Sequence, residues 1–167
     1  TSDYYLSFAR LSDAKRVDKI VEAFKQMPDK KLLVIYWEND PQKQKIFTIA
    51  SWYNNINFKT LPWNRGFTDY VGKCIATIYI PIDEDFGMSP VESMSAWKPV
   101  LWVDDGWLKE TIIDGKTWYL IPKEANIEDI IDAINKLTIE SCIEMKEDCI
   151  ERAKEFSLVQ FEKKLKE

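Results

Sequence analysis

The chain has 167 residues, enough for one domain with a sizeable core, and 46% of them are apolar against 31% charged, the balance of a soluble globular protein. A net charge of −5 argues against a general nucleic-acid binder, and no apolar run approaches the ~18 residues of a membrane span. The absence of histidine excludes Ser-His-Asp and Cys-His mechanisms within this chain and removes the commonest metal ligand.

No secretory signal pattern opens the chain, and its start at Thr1 without an initiator methionine suggests a processed or excised chain with residues missing upstream. Tyr4 to Phe8 is a short apolar run and predicts a strand. Ser12 or Asp13 caps a predicted helix whose Val17, Ile20, Val21 and Phe24 share one face. Lys31 to Trp37, with LLVIYW, predicts a buried strand. Asp40-Pro41 reads as a cap followed by proline at the first helical position, ahead of a helix carrying Ile46, Ile49, Ala50 and Tyr53. Ile56 to Phe58 predicts a strand, and Thr68 to Lys73 a weak helix.

Ile75 to Ile80 is the next strand, followed by a helix opening near Pro90. Val100 to Val103 (VLWV) is a strand, Leu108 to Ile112 a short helix, Asp114-Gly115 a turn and Trp118 to Ile121 the last strand. From Ile127 the pattern is helical, and only the last thirty or so residues could detach as an arm. The three cysteines, Cys74, Cys142 and Cys149, form no C-x-x-C pair, and they read as buried thiols of a reducing cytoplasm rather than as metal ligands or a disulfide. Strands alternating with helices, several of them continuously apolar, predict an α/β fold: a doubly wound, mostly parallel, six-stranded Rossmann-like sheet in one domain over 1–167. Such sheets bind ligands beyond the carboxyl ends of their strands.

The chemistry concentrates in Tyr79 to Trp97, YIPIDEDFGMSPVESMSAW. Ser89 as N-cap, Pro90 as first helical residue and Glu92 at the third position form a capping box, which accounts for these three residues but not for Glu84, Asp85 or Gly87. Gly87 permits a tight turn and close backbone approach. The same geometry makes an anion site: N–H groups near Met88 and Ser89 could take a phosphate, Glu92 the ribose hydroxyls and Glu84 a hexose hydroxyl.

EDFGMSPVE resembles the E-x7-E motif of the family 4 glycosyltransferases of GT-B fold. SMSAWKPVLWVDDGWLKETIIDGKTWYLI resembles the run that follows it in that family, SFARLSDAKRVDKIVEAF its first strand, loop and helix, and ERAKEFS its C-terminal helical signature. E-x7-E alone is weak, but four segments in order, covering nearly the whole chain, are specific. The variant EDFG..PVE followed by ET is most similar to surface-polysaccharide mannosyltransferases.

The resemblance implies the C-terminal, donor-binding half of a retaining enzyme, with the N-terminal acceptor domain outside this chain. Arg10 and Lys15 would hold the donor diphosphate together with Met88 and Ser89. Glu84, the catalytic candidate, would meet the transferred sugar with Phe86 and Gly87, and Glu92 the ribose. The donor would be a nucleotide-diphospho-sugar, GDP-mannose under the finer resemblance, and the acceptor a glycan or lipid-linked glycan. No cofactor or metal is implied, since Arg10, Lys15 and the helix terminus balance the diphosphate. The implied location is cytoplasmic, at the inner face of a membrane, with peripheral contact only.

Departures from the family pattern are Ala9, Trp97 and Trp118 where glycine is usual, and WENDP in place of a Gly-rich turn. Trp97 falls where a helix-ending glycine would be left-handed, so the chain must either adopt that backbone or end the helix otherwise. Trp97, Trp102, Trp107 and Trp118 could form a sugar-stacking surface, but packing is the preferred reading. Two alternatives stand beside the transferase. A glycoside hydrolase using Glu84 and Glu92 leaves Arg10 and Lys15 without a task. A non-catalytic nucleotide-binding module of similar fold would not discriminate between a nucleotide and its sugar conjugate.

Overall fold

The computed structural model describes residues 3–61, 66–84, 87–105 and 116–166. Its strands are β1 (Tyr4–Ser7), β2 (Lys31–Tyr36), β3 (Ile56–Thr60), β4 (Thr77–Ile78), β5 (Val100–Asp104) and β6 (Trp118–Pro122). They form one six-stranded sheet in the order β3-β2-β1-β4-β5-β6, and every pairing is parallel. The helices are α1 (Val17–Lys25), α2 (Lys43–Ala50), α3 (Phe67–Lys73), α4 (Met88–Ser95), α5 (Ile127–Lys136), α6 (Ile139–Glu144), α7 (Lys146–Lys154) and α8 (Leu158–Lys164). The predicted helix at 108–112, the turn at 114–115, Trp107 and Phe86 lie outside the described residues.

The continuously apolar strands are buried on both faces, as expected. Tyr5 and Val34 belong to the larger core with Val17, Ile20, Val21 and Phe24 of α1, while Leu6 and Ile35 pack in a second cluster with Val71 and Cys74. This alternation is the two-residue period of a strand dividing its side chains between two helix layers. The predicted strand Ile75–Ile80 is shorter as a formal element, but its ladder bonds continue. Ile75 N–H donates to Tyr4 O, and Tyr79 N–H to Leu101 O.

Three local expectations are corrected. Neither Ser12 nor Asp13 caps α1: Asp13–Lys15 form a 3-10 turn, and α1 begins after Arg16, whose backbone is left-handed at φ 50°. Asp40 does not cap α2 either. Its carboxylate turns back to accept from Trp37 N–H at 2.9 Å, closing the WENDP turn, and α2 starts three residues later. The last thirty residues are not a loose arm. Cys142 of α6, Cys149 and Ala153 of α7, and Met145 between the two helices join the main core and α7 packs on α4, so among these helices only α8 buries nothing.

Of the two ways in which a tryptophan could end α4, the structure takes the left-handed one. Trp97 sits at φ 64°, its N–H donates to Met94 O at 2.9 Å and the Lys98 N–H to Ser93 O at 3.0 Å. This is a Schellman closure with tryptophan where glycine belongs. A side chain in that conformation costs about 1–2 kcal/mol. The Lys146 ammonium, 3.9 Å above the indole, returns about 0.5–1 kcal/mol. Trp97→Gly should therefore stabilise the domain by about 1 kcal/mol, which raises Tm by about 2–4 °C at this size. A lower Tm in differential scanning calorimetry would show that the ring contributes more than its backbone costs.

Candidate active site at the carboxyl edge of the sheet

β1 leads on to β2 on one side of the sheet, whereas its other neighbour, β4, leads on to β5 and β6. The carboxyl ends of β1 and β4 therefore flank the point where the strand order reverses, where a doubly wound sheet opens its ligand crevice. The segment after β1 carries Arg10 and Lys15, and the segment after β4 carries Glu84 and leads into α4. The fold thus brings Lys15 and Glu84 together, with Arg10 on the same edge of the sheet.

Lys15 and Glu84 form an ion pair, with side chains 25% and 18% exposed. Tyr79 binds the same carboxylate oxygen, its hydroxyl donating to Glu84 Oε2 at 2.7 Å. Its ring lies 5.3 Å beneath the Lys15 ammonium and 4.8 Å from the buried Trp102. Burial, then the Glu84 carboxylate, pushes the Tyr79 hydroxyl far above its ordinary pKa, so it stays a donor. Among the described residues both recorded contacts are to Oε2, which leaves Oε1 as the oxygen to accept from a ligand. Arg10 stands apart from this cluster, 67% exposed on its side chain, with Nε 3.6 Å from the buried Asp40 carboxylate.

What holds Glu84 against Lys15 is a clamp the sequence reading missed. Arg16 is buried, and its guanidinium donates to Ile80 O at 2.6 Å, Pro81 O at 3.2 Å and Lys123 O at 2.7 Å. Desolvation lowers its pKa, opposed by Glu124, Asp105 and Asp18. Ile82 N–H donates to Ala14 O at 2.8 Å. Asp83, left-handed at φ 51°, donates its N–H to Asp105 Oδ2, and Lys123 bridges Asp83 at 2.8 Å and Asp105 at 3.1 Å. The 13–16 turn, the β4 exit and the loops after β5 and β6 are thus tied into one unit. The one available signal was Arg16 itself, a charge placed directly before the apolar stripe of α1.

The expected capping box is corrected. α4 begins at Met88, one residue before the predicted cap, because Gly87 takes a left-handed turn at φ 65° straight into the helix. Ser89 lies inside the first turn, and the N-cap residue is Gly87, which has no side chain to cap with. Pro90 falls at the third position, where its missing N–H would have been unsatisfied in any case. Glu92 is one position past the first turn, exposed, with a partly desolvated carboxyl whose pKa is raised. Among the described residues the Met88 and Ser89 N–H groups have no recorded partner, and Glu92 lies too far into the helix for the capping box.

The sequence profile of Glycosyl transferases group 1 matches residues 1–156. This chain belongs to that family. It is 44% identical over 64 residues, 38% of its length, to the alpha-1,3/1,6-mannosyltransferase ALG2 of Dictyostelium discoideum, and 28% identical over 120 residues, 71% of its length, to its namesake in Schizosaccharomyces pombe. It spans only 15% and 22% of those two proteins. Among solved structures, Anabaena Alr3699/HepE in complex with UDP and glucose superposes with a TM-score of 0.80 at 17% identity, over 98% of this chain and 47% of that one. The glycosyltransferase group 1 chain has the all-parallel sheet expected of the GT-B donor half. Among the described residues no helix is long and apolar enough to cross a membrane.

Proposed function

We propose that this chain is the donor-binding domain of a retaining hexosyltransferase that takes a nucleotide-diphospho-sugar, and that the acceptor is held by another part of a longer protein. The observation that carries this reading is the pairing of Lys15 with Glu84 at the start of α4, whose N-cap is the side-chain-free Gly87. A diphosphate laid on the Met88 and Ser89 N–H groups reaches the Lys15 ammonium. The sugar beyond it meets Glu84, whose Oε1 accepts a hydroxyl while Lys15 and Tyr79 hold Oε2. Phe86 and Gly87 would flank the sugar, and Arg10 would swing from Asp40 to the outer phosphate. The mannosyltransferase relatives favour mannose, with GDP-mannose the first donor to test, and a glycan or lipid-linked acceptor at a membrane face.

A thermal-shift panel of nucleoside diphosphates and their hexose conjugates tests this reading. One sugar conjugate should stabilise the domain more than its nucleoside diphosphate does. Equal shifts would favour a nucleotide-binding module without sugar recognition. The 167-residue chain alone should transfer no sugar above spontaneous donor hydrolysis, because it has no histidine and, on this reading, the acceptor is held elsewhere; measurable transfer by radiolabel assay would overturn the division of labour.

With its capping role gone, Glu92 separates cleanly as a ribose ligand. A carboxylate accepts from two hydroxyls, whereas an amide offers one acceptor and one donor group. Glu92→Gln should leave Tm unchanged and weaken nucleotide binding by about tenfold, the value of one charge-assisted hydrogen bond. The loss should vanish for 2′,3′-dideoxy ligands, and equal losses for both ligands in calorimetry would remove Glu92 from the ribose site.

A further inference from the structure

The amino edge of the sheet carries a second cavity, at the opposite end of α4 from the crevice. It holds about 410 Å³ and is lined by Gly72, Trp97, Lys98, Ile139, Ile143 and Lys146 among others. That volume lies within the ~300–1,000 Å³ of small-molecule sites.

Three features are unusual. Trp97 keeps a strained left-handed backbone and yet is 49% exposed, so its position is not explained by burial. Strain that the Lys146 contact offsets only in part is a marker of function. The cavity lining contains two lysines and no acid. Neither ammonium is recorded in an ion pair among the described residues, and Lys146 meets the Trp97 ring, so both charges at this cavity are available to an anion. Finally, Gly72 opens one wall, where an added Cβ would meet nothing within 4 Å.

We propose that this cavity is a binding site for a sugar ring bearing an anionic group, a uronate or a sugar phosphate, separate from the donor crevice. The exposed indole is a platform for the C–H face of a pyranose. The Lys98 and Lys146 ammoniums supply charge-assisted donors to the anion. Ile139 and Ile143 cover the apolar edge of the ring. An anionic bilayer is disfavoured because Glu140, Glu144, Glu147 and Asp148 are exposed on the same two helices. The site lies on the far side of the sheet from the charges that would grip a donor, which suits the retention of an acidic glycan rather than its reaction.

The test is isothermal titration calorimetry of the chain with digalacturonate, glucose 6-phosphate, maltose and inorganic phosphate, and co-sedimentation with phosphatidylserine vesicles. Digalacturonate or glucose 6-phosphate should bind saturably and lose affinity with salt, while maltose and phosphate bind at least tenfold more weakly. Trp97→Gly, which relieves the backbone, should weaken binding about tenfold, and Lys98→Gln with Lys146→Gln at least as much. Gly72→Leu, which fills the cavity within a helix, should also abolish it. All of these variants should bind nucleoside diphosphates like the parent. The proposal is overturned by no binding of either charged sugar, by binding that the variants leave intact, by inorganic phosphate binding as well as the sugars, or by vesicle binding that the charged sugars fail to displace.

Discussion

Replacing Arg16 by alanine should destabilise the domain by about 3–5 kcal/mol. Each of its three carbonyl partners accepts a charge-assisted hydrogen bond worth about 1.5–3 kcal/mol, and the freed carbonyls recover part of that from water. Against a total stability of about 5–15 kcal/mol this approaches the unfolding threshold. Tm should fall by roughly 6–20 °C, at about 2–4 °C per kcal/mol for this size. Arg16→Gly separates the two parts of the effect. Glycine loses the same bonds but accepts the φ of 50° without strain, so it should be less destabilising than alanine by about 1 kcal/mol. Urea unfolding of both variants measures the difference. A loss below about 1 kcal/mol for alanine would mean that the clamp is held by Lys123 and the Ala14 bond instead.

Lys15 and Glu84 should respond in opposite directions. Without a ligand, the carboxylate neutralises the ammonium that a diphosphate needs, so the two anions compete. Lys15→Ala should weaken nucleoside diphosphate binding by at least about tenfold, one charge-assisted hydrogen bond. Arg10→Ala should weaken it less, because Arg10 is exposed and must leave Asp40. Glu84→Gln removes the competitor. A nucleoside diphosphate should then bind a few-fold tighter, while its hexose conjugate loses the advantage it had over the bare nucleotide. Calorimetry with both ligands on the three variants decides it. If Glu84→Gln weakens the bare nucleotide as much as the conjugate, Glu84 supports the loop rather than recognising sugar.

Strands and their order of appearance were legible in the sequence because LLVIYW and VLWV are apolar on both faces, a pattern that local physics and the final fold both demand. The starts of the helices were not. Ser-x-x-Glu at Ser89 has the composition of a capping box, but a glycine two residues earlier could turn left-handed and start α4 sooner, and that choice is made by the crevice rather than by local propensity. Asp40-Pro41 failed in a similar way: the carboxylate found the Trp37 N–H across its own turn. In the candidate site, Arg10, Lys15, Glu84 and Glu92 were named because charge and the family pattern mark them. Tyr79 and Arg16 were passed over because a tyrosine in an apolar strand and an arginine at a helix start look structural, and nothing short of tertiary contact shows which carbonyls or carboxylate they will meet. The tryptophan in the place of a glycine was read correctly as a choice between two backbones, and the structure takes the strained one.

The Arg16 clamp also has a place in time. Its bonds join residues 64, 65 and 107 apart in the chain. By contrast, β1–β2 and β2–β3 register pair segments only some two dozen residues apart, across a single helix. Closing long loops early is entropically unfavourable, so local pairings lead and distant ones follow. The half-sheet β1-β2-β3 with α1 and α2 should therefore assemble before β4 docks beside β1, and Arg16 should find its carbonyls near the end of folding. The ligand crevice would then be the last part of the domain to form, and stabilising it should slow unfolding far more than it speeds folding.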